Sequence, residues 1–192
     1  MNQIDKWVLE NFCRWLARNL EGSRDIAFFS LNLSGQSLSD PDFTRYLVGL
    51  LEEHAVPKER LCFEITETAA IENLANTVKF IQTLNAAGCR FSLDDFGAGM
   101  SSFSYLKHLP VQLVKIDGAF CRNMHHDTVD RAMVKSITEI AHVMGLQTVA
   151  EYIESAETLQ VSRELGIDFA QGYHLHVPEP VDNLLERAQR AD

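Results

Sequence analysis

The stretch CRFSLDDFGAG, residues 89–99, decides the fold. It is a short apolar run that ends on two acids, Asp94 and Asp95, and a glycine-rich turn follows it. This pattern is typical of a buried strand whose polar end reaches a site. Five further apolar runs also end on a polar or charged residue: IAFFSLN (26–32), LCFE (61–64), VQLVKID (111–117), LQTVAE (146–151) and IDFAQ (167–171).

Segments with helical periodicity lie between most of these runs. The chain opens with an amphipathic helix, and its apolar residues at helical spacing are Ile4, Trp7, Val8, Phe12, Trp15 and Leu16. Further helices are predicted near residues 40–53, 73–87, 129–144 and 155–165, three of them followed by a glycine at position 88, 145 or 166. Strands that alternate with helices predict a parallel sheet, in which the carboxyl ends of all strands meet at one rim.

The number of strands separates two versions of this fold. A closed (β/α) barrel has eight strands and typically about 250 residues, whereas six strands are visible in these 192 residues. The sequence therefore predicts either a TIM-like barrel without its first two strands or an open six-stranded sheet. No linker composition interrupts the chain, so residues 1–192 are predicted to be a single domain, incomplete at its N-terminus.

The polar residues at the strand ends predict a metal site. Asn32, Glu64, Asp94 and Asp95 offer the oxygen ligands that Mg²⁺ or Mn²⁺ prefers. Two adjacent carboxylates repel each other unless a cation lies beside them. Neighbouring strand residues point to opposite faces, so we expect Gly97 and Gly99 to turn the chain there. The alternative interpretation of the aspartate pair is an ordinary solvated turn.

Four more polar residues are candidates for the same rim. Lys115 would orient a water or contact a phosphate, or else form a buried ion pair with Asp117 or Glu151. Glu151 and Gln171 end the last two strands, and Glu67 lies just beyond the second strand, where it would hold a neighbouring loop. A lysine Schiff-base enzyme on the same barrel would need Lys115 without a metal cluster, and the aspartate pair argues against it.

Composition restricts the class of protein. The net charge of −10 argues against an electrostatic grip on DNA or on an anionic membrane. Four scattered cysteines without a CxxC pair indicate free thiols in a reducing cytoplasm. No apolar run approaches the roughly 20 residues of a membrane helix, so no membrane insertion is predicted, although a tether elsewhere in a parent protein is compatible with this. The histidines at 125 and 126 are interpreted as solvated loop residues. Those at 174 and 176 alternate as a metal pair would, but they lie where the chain leaves the sheet.

Six motifs in order resemble the EAL-domain family, bacterial phosphodiesterases that hydrolyse cyclic di-GMP to pGpG. They are Leu31-Asn32-Leu33-Ser34, Glu64-Ile65-Thr66-Glu67-Thr68, Asp94-Asp95-Phe96-Gly97-Ala98-Gly99, Lys115-Ile116-Asp117, Ala150-Glu151-Tyr152-Ile153-Glu154 and Gln171-Gly172-Tyr173. The resemblance covers nearly the whole chain. It implies a TIM-like barrel with two metal ions at its C-terminal mouth.

The resemblance also implies a role for each matching residue. Asn32, Glu64 and Asp94 would bind the first metal, and Asp94 and Asp95 the second. Glu151 and Gln171 would hold waters of the metal site, and Lys115 would position the attacking water. Glu67 would anchor the loop from Phe96 to Ser102, which in this family shapes the metal site near a dimer interface.

The sequence departs from the family at two points. The Glu-Ala-Leu motif on an early strand, and the basic residue after it that contacts the ligand, do not occur in these 192 residues. The resemblance therefore implies weak or no hydrolysis by this chain alone. Tyr152 stands where the motif usually has glycine.

Two functions and several partners follow as expectations. The first function is a cyclic di-GMP phosphodiesterase, and the alternative is a degenerate module that binds cyclic di-GMP or a protein without cleavage. We expect association into a homodimer or larger oligomer, because uncovered strand edges and apolar surface promote pairing. GGDEF or sensory domains are expected in a parent protein.

Overall fold

A computed structural model describes residues 2–97 and 103–188. Six strands occur in the described residues: β1 Phe29–Asn32, β2 Leu61–Thr66, β3 Arg90–Phe96, β4 Leu113–Ile116, β5 Gln147–Ala150 and β6 Phe169–Ala170. The helices are α1 Asn2–Arg18, α2 Gly35–Leu38, α3 Pro41–Glu53, α4 Glu67–Glu72, α5 Leu74–Ala86, α6 Phe103–Leu106, α7 Gly118–Cys121, α8 Thr128–Val143, α9 Ala156–Glu164 and α10 Val181–Ala188, with a 3₁₀ turn at Lys58–Arg60. The predicted alternation of strands and helices is confirmed.

The chain folds as two compact units. Among the described residues, the first unit contains those up to Glu64, Asn73–Arg90 and those from Pro178 onward. The second unit contains Ile65–Glu72 and Phe91–Val177. The first therefore holds β1 and most of β2, and the second holds β3 to β6.

The first unit is built on a parallel pair of strands. β1 and β2 run side by side with Phe29 opposite Leu61 and Asn32 opposite Glu64. Because this pair is parallel, the two polar residues predicted at strand ends come out as direct neighbours. The apolar core beneath includes Phe43 and Phe80, whose rings stack with centroids 6.3 Å apart.

Helix α1 buries a different face from the one its apolar pattern predicts. The buried residues are Asp5, Leu9, Cys13 and Leu16, whereas Ile4 and Trp7 are 60% and 66% exposed. Asp5 is buried because its Oδ2 atom accepts hydrogen bonds from the backbone and hydroxyl of Ser34, at 3.0 and 2.6 Å, and from the hydroxyl of Ser37 at 2.6 Å. A satisfied carboxylate thus takes a core position.

The second unit is a four-stranded parallel arrangement. β3, β4, β5 and β6 follow one another in chain order, and each neighbouring pair is parallel. Helix α8 packs on β4 and β5 through Val134, Ile137 and Ala141, which are buried. As in the first unit, the carboxyl ends of these strands come to one edge.

The predicted helices are confirmed within a few residues. Pro41 opens α3 behind the N-cap Asp40, and the Ser155 hydroxyl caps α9 by accepting from the Thr158 amide at 3.1 Å. The glycines at 88, 145 and 166 all adopt positive φ after a helix, as expected for C-terminal stops. The short helices α2, α4, α6 and α7 were not predicted, because four to six residues are too few to show a helical period.

Candidate metal centre

Asp94 and Asp95 both reach the same site because β3 is irregular between them. The register of β3 with β4 shifts between Leu93 and Phe96, and Asp95 adopts φ 55°. A bulge of this kind re-aims a side chain that a regular strand would send to the other face. The sequence placed this turn at Gly97 and Gly99. In the structure the backbone turns at Asp95 and again at Gly97, which adopts the expected positive φ of 101°. Gly99 lies outside the described residues.

Three carboxylates converge where β3 and β5 end. Asp94, Asp95 and Glu151 each offer one oxygen, and these oxygens lie within 4.8 Å of one another. Oxygen donors at this separation suit a hard divalent cation such as Mg²⁺ or Mn²⁺. The residues at hand therefore fit a metal site at the predicted edge.

Lys115 lies between two of these acids. Its Nζ atom is 2.8 Å from Asp94 Oδ1 and 2.8 Å from Glu151 Oε1. The exposed fractions of the side chains are 5% for Lys115, 14% for Asp94 and 10% for Glu151. The predicted alternative of a buried ion pair with Glu151 is thus realised, and Asp94 shares the same ammonium group.

The electrostatics of the cluster favour a bound cation. Burial raises the pKa of Asp95, and the charges of Asp94 and Asp117 raise it further. Burial also raises the pKa of Glu151, and the two aspartates add to this against the opposing effect of Lys115. Acids with raised pKa values hold their negative charge at a cost, which a divalent cation would relieve.

Glu67 ties the end of β3 to a tyrosine. Its Oε2 atom accepts a hydrogen bond from the Gly97 amide at 3.1 Å, and its Oε1 atom accepts from the Tyr105 hydroxyl at 2.6 Å. Burial and this hydrogen bond raise the pKa of Tyr105. Glu67 thus contacts the start of the loop that it was predicted to anchor, and residues 98–102 of that loop lie outside the described residues. Tyr105 was not predicted from the sequence, because no spacing rule connects it to Glu67.

Asn32 and Glu64 form the other predicted group. They are register partners at the ends of β1 and β2, and the Leu33 amide donates to the Glu64 carbonyl at 2.9 Å. Glu64 is buried and Asn32 is exposed. This pair belongs to the first unit, and the acidic cluster belongs to the second.

Gln171 comes directly after β6, beside the segment that follows β5. The backbone N–H of Gln171 donates to the Ala150 carbonyl at 2.9 Å, and the backbone carbonyl of Gln171 accepts from the Ile153 amide at 3.0 Å. The next residue, Gly172, approaches Ile153 so closely that a Cβ atom would lie 2.3 Å from the Ile153 backbone nitrogen. The backbone of Gln171 is therefore fixed at this edge, and its side chain is exposed.

The comparisons with known proteins now assign the family, because the EAL domain matches residues 1–178. The chain belongs to the EAL domain family. It is 40% identical over 196 residues to the cyclic di-GMP phosphodiesterase PdeB of Shewanella oneidensis, covering 100% of this chain and 23% of PdeB. This EAL chain spans about a quarter of the length of the curated relatives it matches.

Solved EAL structures share the fold. The EAL domain of Mycobacterium smegmatis DcpA superposes with a TM-score of 0.91 at 29% identity, covering 98% of this chain and 85% of the solved DcpA domain. The PaMucR phosphodiesterase, solved as a complex with c-di-GMP, gives a TM-score of 0.88 at 32% identity, covering 95% of this chain and 74% of the solved PaMucR chain. The predicted EAL-type α/β fold is confirmed.

The prediction of a metal-dependent site is supported by the family and by the acidic cluster. EAL phosphodiesterases are metal-dependent, and the cluster of Asp94, Asp95 and Glu151 is a possible metal site in this EAL chain. Across residues 2–97 and 103–188, no helix has the length and apolar character required to cross a bilayer.

Proposed function

We propose that this EAL chain is the metal-binding part of a cyclic di-GMP phosphodiesterase that hydrolyses its substrate to pGpG. The observation that carries the proposal is the cluster of Asp94, Asp95 and Glu151, in which Lys115 pairs with Asp94 and Glu151. Relatives named as cyclic di-GMP phosphodiesterases, at 40% and 39% identity, support the choice of substrate. A structural neighbour solved with c-di-GMP supports it further.

The proposed ligands are side-chain oxygens at the strand ends. In the second unit, Asp94 and Asp95 would hold a Mg²⁺ or Mn²⁺ ion. In the first unit, Asn32 and Glu64 would offer oxygen ligands to a metal ion. Two bound divalent cations would lower the pKa of a water and neutralise charge on the phosphoryl oxygens. Asp94 and Asp95 would share a metal ion because the bulge in β3 turns Asp95 to the side of Asp94.

In this proposal, the other predicted site residues position water molecules and the loop after Asp95. Lys115 holds the attacking water, since its ammonium group is fixed between Asp94 and Glu151. Glu151 and Gln171 orient further waters at the same edge. Glu67 keeps the segment after Asp95 in place through its hydrogen bond with the Gly97 amide.

Hydrolysis under single-turnover conditions tests this function. The chain in excess over cyclic di-GMP, with Mn²⁺ or Mg²⁺, is expected to form pGpG only slowly, because the Glu-Ala-Leu motif does not occur in these 192 residues. Asp95→Asn is expected to abolish this slow hydrolysis. Metal-dependent binding of cyclic di-GMP without any pGpG would favour the alternative of a receptor module. Failure to bind the nucleotide at all would reject both functions.

The assembly and location of the protein are part of the same proposal. Exposed apolar side chains, among them Trp7 at 66% and Tyr173 at 66%, support association into a homodimer or oligomer. MucR of Pseudomonas aeruginosa is named as a bifunctional diguanylate cyclase and phosphodiesterase, which supports a parent protein with a GGDEF or sensory domain. Four buried free cysteines fit the reducing cytoplasm. Light scattering at micromolar concentration checks the association, and a monomer would reject it.

A further inference from the structure

Tyr152 holds a backbone conformation that tyrosine rarely adopts. It follows Glu151 of the metal cluster directly, and its φ is 52°. A bulky residue with positive φ is a genuine outlier, and such strain persists where the surroundings enforce it, often at functional sites. The side chain is 50% exposed, so half of the ring stays open to solvent. The position therefore calls for a reason other than core packing.

The ring rests on one side of helix α7. A Cβ atom on Gly118 would lie 2.0 Å from Tyr152 Cδ2, so the ring occupies the space that any other residue at 118 would fill. The guanidinium carbon of Arg122 lies 4.5 Å from the ring centroid. Gly118 and Arg122 are four residues apart, so they lie on the same side of α7. The two residues fix the plane of the ring and leave it half exposed.

The ring lies at the edge of the metal cluster. The Glu151 amide donates to the Ile116 carbonyl at 3.4 Å, and the Asp117 amide donates to the Phe96 carbonyl at 3.2 Å. Tyr152 and Gly118 thus each come directly after a residue bonded at the strand ends that carry Asp95 and Glu151. A nucleotide with its phosphate at the cluster and one base extended along this edge would bring that base to Tyr152.

We propose that the exposed face of Tyr152 is a stacking surface for a guanine base of cyclic di-GMP, with Gly118 and Arg122 as the residues that position the ring. This inference rests on the proposed function, because the cluster must receive the phosphate of the same ligand. Aromatic rings are the usual platforms for unpaired nucleotide bases. Arg122 attracts the face of the ring and adds positive charge to an edge rich in carboxylates.

Calorimetric titration of the chain with cyclic di-GMP tests the role of the ring. Ca²⁺, which takes the same oxygen ligands, replaces Mg²⁺ to slow turnover. Tyr152→Phe keeps the aromatic face and is expected to bind within about twofold of the unmodified chain. Tyr152→Leu keeps the Cβ atom and much of the bulk without the π face, and is expected to bind roughly 5- to 100-fold more weakly. Both variants are expected to bind Mn²⁺ alone with unchanged affinity.

A second variant changes Gly118, the residue against which the Tyr152 ring packs. Gly118→Ala places a methyl group where the ring lies, so it is expected to weaken nucleotide binding as Tyr152→Leu does, while Mn²⁺ binding shows that the fold is retained. Equal affinity of the unmodified chain and Tyr152→Leu would overturn the stacking role and leave the proposed function intact. An unmodified chain that binds Mn²⁺ but no cyclic di-GMP would overturn both.

Discussion

Lys115 and Glu151 form an ion pair in which Nζ lies 2.8 Å from Oε1, with side chains only 5% and 10% exposed. The same ammonium group also contacts Asp94. In the absence of metal, Lys115 is therefore the positive charge that the acidic cluster relies on. A bound divalent cation would also offset the negative charge of these carboxylates.

Removal of Lys115 is expected to make the fold depend on metal. Lys115→Met leaves buried carboxylates without their cation, and loss of one partner of a buried pair typically costs about 3–5 kcal/mol of unfolding free energy. Urea unfolding with and without MnCl₂ measures this, and Mn²⁺ is expected to restore more stability to the variant than to the unmodified chain. Lys135→Met is the control, since Lys135 pairs with Glu139 at 3.8 Å on the exposed surface, and it is expected to change stability by less than about 0.5 kcal/mol. An equal response of both variants to Mn²⁺ would contradict the shared role.

The aspartate pair is expected to determine divalent-cation affinity. Asp94→Asn and Asp95→Asn each remove one anionic oxygen donor from a cluster whose oxygens lie within 4.8 Å. We expect each change to weaken Mn²⁺ binding at least tenfold in calorimetry, because cation affinity at such sites follows the number of charged ligands. Asp25→Asn is the matched control, since Asp25 is exposed and remote from the cluster in sequence. Unchanged affinity in both cluster variants would rule out this site.

The hydroxyl of Tyr105 is expected to stabilise the segment after Asp95. Tyr105→Phe leaves Glu67 Oε1 without the 2.6 Å hydrogen bond, and loss of a hydrogen bond to a charged group costs about 1.5–3 kcal/mol. Chemical denaturation measures the change, and Tyr173→Phe, at a tyrosine 66% exposed, is the control expected to show none. A loss below about 0.5 kcal/mol for Tyr105→Phe would mean that the hydroxyl is replaceable by water.

Asp168 is expected to make the second unit sensitive to acid. Its Oδ2 atom accepts from the Thr148 amide at 2.7 Å, the Thr148 hydroxyl at 2.9 Å and His142 Nε2 at 2.9 Å. Burial raises the pKa of Asp168, but these donors outweigh it and the pKa is lowered overall. A carboxyl whose folded-state pKa is lowered contributes stability above its unfolded pKa, about 3.9, and loses it as the pH falls through the folded value.

Unfolding free energies between pH 7 and pH 3 check this linkage. The unmodified chain is expected to lose more stability than Asp168→Asn over the acid part of this range, since the amide does not titrate. Parallel pH profiles for the two proteins would show that Asp168 does not contribute to the acid response.

The strand-end residues could be predicted because parallel strands place their carboxyl ends at the same edge of the sheet. Asp94, Lys115 and Glu151 each end an apolar run, and parallel pairing in chain order brings neighbouring ends together. The pairing of Asn32 with Glu64 follows from the same rule. The family resemblance added the roles of these residues, which stay predictions.

The bulge in β3, the buried face of α1 and the hydrogen bond between Glu67 and Tyr105 could not be predicted, because each depends on contacts between residues far apart in the sequence. The bulge at Asp95 is set by the register against β4, and no local pattern identifies which residue of the pair takes positive φ. The face of α1 was misjudged because a carboxylate, Asp5, occupies a buried position by accepting bonds from Ser34 and Ser37. Tyr105 and Glu67 are 38 residues apart, so only folding brings them together.

The contact between Tyr152 and Gly118 couples the evolution of two distant positions. Any side chain at 118 would collide with the ring, since its Cβ atom would come within 2.0 Å of Cδ2. Among relatives, a large residue at the position of Tyr152 should therefore occur together with glycine at the position of Gly118. Where the first position is itself glycine, the second is released to carry alanine or serine. Substitutions at the two positions must therefore occur in a fixed order. Tyr152 has to be replaced by a small residue before Gly118 can be replaced by a larger one.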